Sequence, residues 1–450
     1  MKFKNTIILF IVLVLLSGYV YFFEIKKSEE TEKMREVARQ VIDFPQDSVE
    51  TIIFKNNYGK FVIKKLQGEW RITEPLYTEA DENTINAMLR SICEVKRDTV
   101  YETIAADLPY FGLGEEALWV VLETFGGQRD SIRMGDKSPV GPTVYSARSD
   151  TLVFTIPSMV KNQFNKKLYD IRDKKLLHFE RDDIQSVTVK NKFGTYEFVK
   201  TGNNEWEIPS LKRPAENSKI SSIISKLQYN NAKEFVDETG KELKNYGLTH
   251  PAFWVQLNLG KEKGTRKLLI SRKKDGKYYG KDEARKPIFV VDSALVNDIN
   301  KQLKEFRSTD LAKFDRVEID SMRISYNDTT VVLAKDTTNT WVMPDSANAR
   351  VKYSNVTTVF NRLDYSVIKE FVTDGPFNPA HYGLDKPQVE VSLYKDGQLE
   401  LNVKFGKERN GNVYVTTNRY ESVYLIPKTQ LAGIKLKPGQ IIEKDTTEKN

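Results

Sequence analysis

Cysteine is nearly missing from this chain. Cys93 is the only one, which excludes an intramolecular disulfide and any multi-cysteine metal site. It falls in an amphipathic, helix-like run, where a buried, inert thiol is expected. Histidine is almost as scarce. His178, His250 and His381 stand far apart, with no His-x-x-x-His or Glu-x-x-His grouping, so no histidine-based metal site is expected. There is no Walker A loop and no G-x-S-x-G elbow. The net charge of +7 over 450 residues is too small to suggest nucleic acid.

Long uncharged runs are also rare, and the one at the N-terminus stands out. Residues 1–5 carry Lys2 and Lys4, and Thr6 to Phe23 then run without a charge. About 20 apolar residues span a bilayer. The basic n-region favours a cytoplasmic N-terminus, and the stretch Gly18 to Phe23 offers no small-residue cleavage site. Residues 6–23 therefore read as a retained signal anchor. Residues 24–43 read as a charged stalk, helical or a plain juxtamembrane spacer, with the bulk of the chain outside the cytoplasm.

What the chain has in abundance is repetition. Trp70, Trp206 and Trp341 are followed by Gly112, Gly247 and Gly383 after 42, 41 and 42 residues. Phe44, Phe179 and Phe314 are 135 apart, as are Phe154, Phe289 and Tyr424, while Tyr145, Tyr279 and Tyr414 hold the period to within one residue. A period held by five markers means triplication. The units run 44–178, 179–313 and 314–436, leaving 437–450 as a disordered tail rich in Lys, Glu and Thr.

Each unit reads as α+β. Alternating strands turn at Asn56 to Gly59, Asn191 to Gly194 and Asn327-Asp328, and a Trp strand follows. The period then becomes helical, with apolar residues at i, i+3, i+4 and i+7: Ile85, Met88, Leu89, Ile92; Ile220, Ile223, Ile224, Leu227; Val356, Val359, Phe360, Leu363. Asp81, Ser218 and Ser354 are the expected N-caps. About four further strands and a second helix complete an antiparallel sheet with two helices. Those second helices lead into the next unit without a flexible linker. Trp is expected to plug the core, Gly to supply a left-handed turn, and the Leu behind it to fill the core.

Two segments resemble chemistry. Gly112-Leu113-Gly114-Glu115-Glu116-Ala117 fits a dinucleotide fingerprint on paper, but Leu118 to Leu122 reads as a strand where that motif needs a helix. Residues 261–286 hold eleven Lys or Arg against four Asp or Glu. Lys261, Lys263, Arg266, Lys267, Arg272, Lys273, Lys274 and Lys277 form a possible patch for an anionic partner, against the alternative of a solvated hairpin.

The Trp strand and the Tyr-Gly-Leu turn recur with Pro251 and Pro387 four residues past the Gly. With the closing Val-Tyr-Leu-Ile type strand and the Tyr169 to Lys174 stretch, the chain resembles the bacterial DUF4340 family, a domain of unknown function. The first copy departs, with Phe111 and Glu116 in place of Tyr and Pro, as a divergent unit. The resemblance implies a membrane-anchored extracytoplasmic protein, found beside ABC-2 type and gliding-motility-like transport components. It brings no catalytic residue and no cofactor. The expectation is a non-enzymatic accessory or scaffold protein of the bacterial inner membrane, single-pass, with protein partners in a transport complex. An envelope-polymer or anionic-lipid binding module is the first alternative and an envelope glycan hydrolase the second. Oligomeric state is open at this stage.

Overall fold

A computed structural model describes residues 2–21, 38–102, 105–149 and 152–443. Contacts gather the chain into two compact units, the first formed by Met1–Arg181, Ser225–Trp254 and Arg266–Val296, the second by Asp182–Ile224, Val255–Thr265 and Asn297–Asn450.

The first repeat is a nine-stranded antiparallel sheet. Its strands are β1 (Val49–Asn56), β2 (Gly59–Leu66), β3 (Glu69–Glu74), β4 (Thr78–Glu79), β5 (Val100–Glu102), β6 (Leu118–Thr124), β7 (Arg129–Lys137), β8 (Thr143–Ser149) and β9 (Leu152–Pro157). Their spatial order is β4-β3-β2-β1-β6-β7-β8-β9-β5. The chain meanders from the middle to one edge, crosses one face as a helix, lands at the far edge as β5, and meanders outward again from β6. The second and third sheets, beginning at Ser186–Asn191 and Ser321–Tyr326, have the same order. The α+β triplication expected from the sequence is present.

Each sheet carries two cores because successive side chains on a strand point to opposite faces. In the third repeat Tyr424 and Ile426 join the large core under the helix Tyr353–Asp364, with Trp341, Val356, Phe360 and Leu363. Val423 and Leu425, alternating with them, form a separate small core with Leu384 and Tyr414. Trp70, Trp206 and Trp341 are each buried, and the Trp341 ring lies 6.0 Å from Phe360. Gly112, Gly247 and Gly383 have φ of +67°, +68° and +70°, the left-handed region that glycine enters freely. At Gly383 an added Cβ would also meet the Lys407 backbone nitrogen at 3.0 Å. The turn therefore drives Leu113, Leu248 and Leu384 into the second core, where an aromatic ring from the turn packs 4.9–5.0 Å from Tyr145, Tyr279 or Tyr414. The sequence reading gave that Leu to the main core; strand alternation gives it a core of its own.

The turn asparagines do more than turn. Asn56 is buried and donates from Nδ2 to the carbonyls of Phe164 (2.7 Å) and Lys166 (2.8 Å), while its Oδ1 accepts from the Tyr58 amide. Asn191, 135 residues on, donates to Ile299 and Lys301 (2.7 Å each) and accepts from Phe193 and Gly194. In the third repeat the Tyr326 hydroxyl reaches the Leu436 carbonyl instead. In the first two repeats one side chain thus shapes a hairpin and caps the carbonyl end of the helix Ser158–Phe164 or Ser293–Ile299.

Several boundaries move. Val41 and Ile42 are buried in the first core, and the Val41 amide bonds the Val95 carbonyl, so the first repeat begins before Phe44 and the end of the assigned stalk belongs to it. Residues 24–37 lie outside the described residues. The tail assigned from 437 is ordered through 443. Pro438–Ile441 is a short helix, Ile441 is buried, and Glu443 N–H bonds the Arg350 carbonyl. Residues 444–450 lie outside the described residues. Asp81 caps its helix by accepting from Thr84 N–H (2.7 Å). Ser218 and Ser354 instead sit inside helices Asn217–Tyr229 and Tyr353–Asp364. The second helices are short, Ser158–Phe164 and Ser293–Ile299.

The N-terminal helix α1 covers Lys2–Tyr19. Among the described residues no helix is long and apolar enough to cross a membrane. Residues 22 and 23 of the run read as an anchor lie outside the described residues.

Replacing Asn191 with Leu removes four hydrogen bonds and takes the side-chain donor from two carbonyls, one in a buried and one in a partly buried bond. We expect about 2–4 kcal/mol of destabilisation, with faster amide exchange at Phe193 and Gly194 as the local readout. Unchanged exchange there would mean that the hairpin does not depend on the staple.

Candidate functional site

The densest set of buried polar groups lies where one repeat hands the chain to the next. In the first unit, residues 171–175 are hydrogen-bonded on both sides. Asp81 N–H bonds Ile171 O and Asp173 N–H bonds Glu79 O (2.9 Å each), while Ala232 N–H bonds Lys174 O at 2.8 Å. The connection between repeats is thus a shared strand, in keeping with the absence of a flexible linker.

Arg172 in that strand is only 3% exposed. Its guanidinium forks onto Glu238 at 2.5 and 2.9 Å, reaches Thr78 Oγ1 at 3.2 Å, and lies 3.4 Å over the Phe235 ring. A buried guanidinium needs a matching carboxylate, and a planar one can also stack on an aromatic face. The second unit repeats the device. Arg307, 135 residues after Arg172, forks onto Asp374 at 2.7 and 3.0 Å and lies 3.7 Å over Phe371. Arg213 joins it, donating to Ser422 Oγ at 2.6 Å, with Ser422 donating to Asp374 at 3.0 Å.

The first-unit junction has an addition. Arg285 Nη1 contacts Asp173 Oδ2 at 2.9 Å and Glu79 Oε2 at 3.4 Å, and its Nε contacts Asp282 at 2.9 Å. His178 Nε2 lies 3.0 Å from Asp173. Beside these groups is a cleft of about 240 Å³ lined by Arg71, Tyr77, Phe235, Lys286, Pro287 and Phe289. Glu79, Asp173 and His178 offer three ligand-type atoms within 4.8 Å of one another, but the Arg285 cation already holds both carboxylates. The geometry is that of an ion-paired joint.

The charges shift as this arrangement requires. Burial works against ionisation of Asp173, yet His178, the Lys175 amide and Arg285 outweigh it and hold the carboxyl below its ordinary range. For Asp374 burial again opposes, and Arg307, Ser422 and Arg213 prevail. Burial, then Glu94, pushes the Cys93 thiol up to about 12, consistent with an inert thiol.

The basic patch is not brought together. Lys261 and Lys263 lie in a turn before the strand Thr265–Ile270, and Lys263 is 2.7 Å from Asp183. Arg266 and Lys267 lie in the strand, the first donating to His178 O and the second 4.8 Å over Trp254. Arg272, Lys273, Lys274 and Lys277 are exposed after it, where Lys274 donates to Asn245 O and Lys277 pairs with Glu234 at 2.6 Å. Gly112 to Ala117 leads into β6, as expected for a false fingerprint. His381 packs edge-on against Tyr382 and His250 is exposed.

Sequence reasoning missed the junction arginines as a pair. The signal was present: Arg172 and Arg307 keep the period, and an acid recurs at Glu238 and Asp374.

A family model described as a domain of unknown function (DUF4340) matches residues 70–213, 206–386 and 341–448. Each of the first two matches starts at a Trp strand and runs through a junction arginine into the following sheet. No curated protein matches the chain.

The junction makes a signed prediction. Asp374 has a lowered folded-state pKa, so its contribution is complete above the ordinary aspartate value of 3.8 and is lost as the pH falls through the folded value. Asp374→Asn is expected to flatten the acid limb of stability against pH in that range. Arg307→Ala is expected to cost about 1–3 kcal/mol at neutral pH by removing the two-armed partner of Asp374, which keeps only Ser422 and Arg213, and an Arg307→Met/Asp374→Leu pair to recover most of it. A double variant as unstable as the single one would refute the pairing.

Proposed function

The chain belongs to the DUF4340 family, and we propose that it is a membrane-anchored, non-enzymatic scaffold. In this reading it presents its sheets outside the cytoplasm to protein partners of an envelope ABC-type transport system. The observation that carries the anchor is the surface of α1. Ile7 to Leu16 are 47–74% exposed on every side of the helix. A helix apolar all round needs lipid or an apolar partner. The uncharged run continues to Phe23 in the sequence, and eighteen helical residues would measure about 27 Å against a hydrocarbon core of about 30 Å.

The scaffold role is supported by where the polar groups are used. The buried arginines Arg172 and Arg307 are each matched to a carboxylate at the joints between repeats. The transport context comes from the family resemblance. A second reading, binding of an anionic envelope polymer or lipid, is favoured by one observation. Among the described residues Arg272 and Lys273 are exposed and make no ion pair.

Full-length protein and a form lacking residues 1–30 are to be compared in a detergent pull-down. Transporter subunits are expected with the full-length form. In spheroplasts, Arg272→Cys is expected to react with a membrane-impermeant maleimide. Protection of that thiol would overturn the topology. Recovery of no partner, together with salt-sensitive binding to anionic vesicles, would replace the scaffold by the second reading.

A further inference from the structure

Strand register aligns the two internal junctions position by position. Thr78 pairs with Ile72 as Arg213 pairs with Ile208, and Arg71 pairs with Glu79 as Glu207 pairs with Pro214. Phe235 pairs with Phe289 as Phe371 pairs with Tyr424, which sets Glu238 level with Asp374 and Pro287 level with Ser422. The residues just before these last two, Arg285-Lys286 and Tyr420-Glu421, correspond in the same way.

At the second junction one side chain fills this place. Arg213 crosses it with only 12% of its side chain exposed, its Nη2 donating to Ser422 Oγ at 2.6 Å and its Nε 3.7 Å from Asp374. Its guanidinium lies 4.4 Å over the Tyr420 ring. At the first junction Thr78 is too short to cross, and its hydroxyl accepts from Arg172 at 3.2 Å. Pro287 offers no hydroxyl, and Arg285 is taken up by Asp173, Glu79 and Asp282. What remains open is the cleft of about 240 Å³, which lies wholly within the first unit.

Its walls determine what it accepts. Tyr77, 67% exposed, gives it an aromatic side, and Phe235, Pro287 and Phe289 complete the apolar lining. Its carboxylates are already matched, Glu238 by both arms of Arg172, Glu79 by Arg71 and Arg285, and Asp173 by Arg285. Lys286 is exposed and, among the described residues, makes no ion pair. Where the second junction has the acids Glu207 and Glu421, the first has the bases Arg71 and Lys286. The segment behind Lys286 is fixed by its neighbours. Asp237 accepts from the Thr239 and Glu242 amides, and at Gly240 (φ +64°) a Cβ would meet the Lys286 carbonyl oxygen at 2.0 Å.

We propose that the first junction is a binding site for a small carboxylate with a flat apolar body, such as an arylalkanoic acid. The ring lies against Tyr77 and Pro287, in the space that Arg213 fills at the sister junction, and the carboxylate meets Lys286. Aromatic walls favour a ring, which packs on them edge-on or offset. A cation in the manner of Arg213 is disfavoured, because Glu238 is engaged by Arg172 while Arg71, Arg285 and Lys286 line the space. Ligand pockets run upward from about 300 Å³, so a cleft of this size suits one ring and a short chain. The site is independent of the scaffold reading and of the anchor.

The test uses the full-length chain in mild detergent and three ligands of one shape, 3-phenylpropionate, 3-phenylpropanamide and 3-phenylpropylammonium, titrated by ligand-observed NMR. The carboxylate is expected to bind roughly fivefold more tightly than the amide, the worth of one exposed ion pair, and the ammonium most weakly. Lys286→Ala is expected to remove that preference and to leave amide binding unchanged. Thr78→Arg supplies the side chain of the sister junction and is expected to abolish binding of all three with the Tm retained, which also makes it the blank for ligand held by detergent. Tyr77→Ala, at an exposed side chain, is expected to weaken carboxylate and amide alike. Binding by the parent no greater than by folded Thr78→Arg would overturn the proposal. So would preference for the amide or the ammonium, a carboxylate preference that survives Lys286→Ala, or parent-like binding by Tyr77→Ala.

Discussion

A guanidinium withdrawn from water must find its counter-charge, and the joints between repeats follow from that demand. Arg172 and Arg307 are too buried for solvent to neutralise them, and each meets a carboxylate with both arms while resting on a ring. Lysine could not make the same fork or stack as flatly. Because the arginine sits in the connecting strand while its acid sits in the next repeat, the pairing sets the register between the connection and the sheet it enters. Misplacement by one residue would reverse the side-chain direction and bury an unpaired charge. Burial of this kind is better evidence for a specified joint than for stability, since apolar replacements of such pairs are often neutral.

The fold of each repeat answers a different constraint. A nine-stranded sheet has two faces, and one helix covers only one of them. The Tyr-Gly-Leu turn solves the other face with few residues. Glycine permits the left-handed bend, the leucine drops inward, and the aromatic closes over it. Trp and Gly recur at a fixed distance because they anchor elements serving opposite faces of one sheet.

Much of this was legible in the sequence. The period, the helical stripes and the Trp strand all concern apolar residues, whose spacing states which face they serve. The second core was not legible as separate, since Val423 and Tyr424 look alike as a hydrophobic run until pairing assigns them to faces. Asn56 and Asn191 were legible as turn residues but not as staples, because their acceptors lie 108 and 110 residues away in the chain. The helix caps failed for a local reason: Ser218 and Ser354 were one residue or more inside helices that begin earlier. The basic patch was a property of one-dimensional counting, and the strand Thr265–Ile270 places its members in different loops.

A triplicated chain also carries its own control. Whatever all three copies share, such as the Trp, the Gly-Leu turn and the helix stripe, is explained by the fold they have in common. What differs between copies cannot be a requirement of that fold. Arg285 stands where the third repeat has Tyr420, and the two side chains serve different joints. Ile442 stands where two arginines stand. Since each of these departures occurs on a backbone that its sister copies build without it, selection for folding alone does not account for it. The differences, rather than the motifs, are where the particular work of this protein is written.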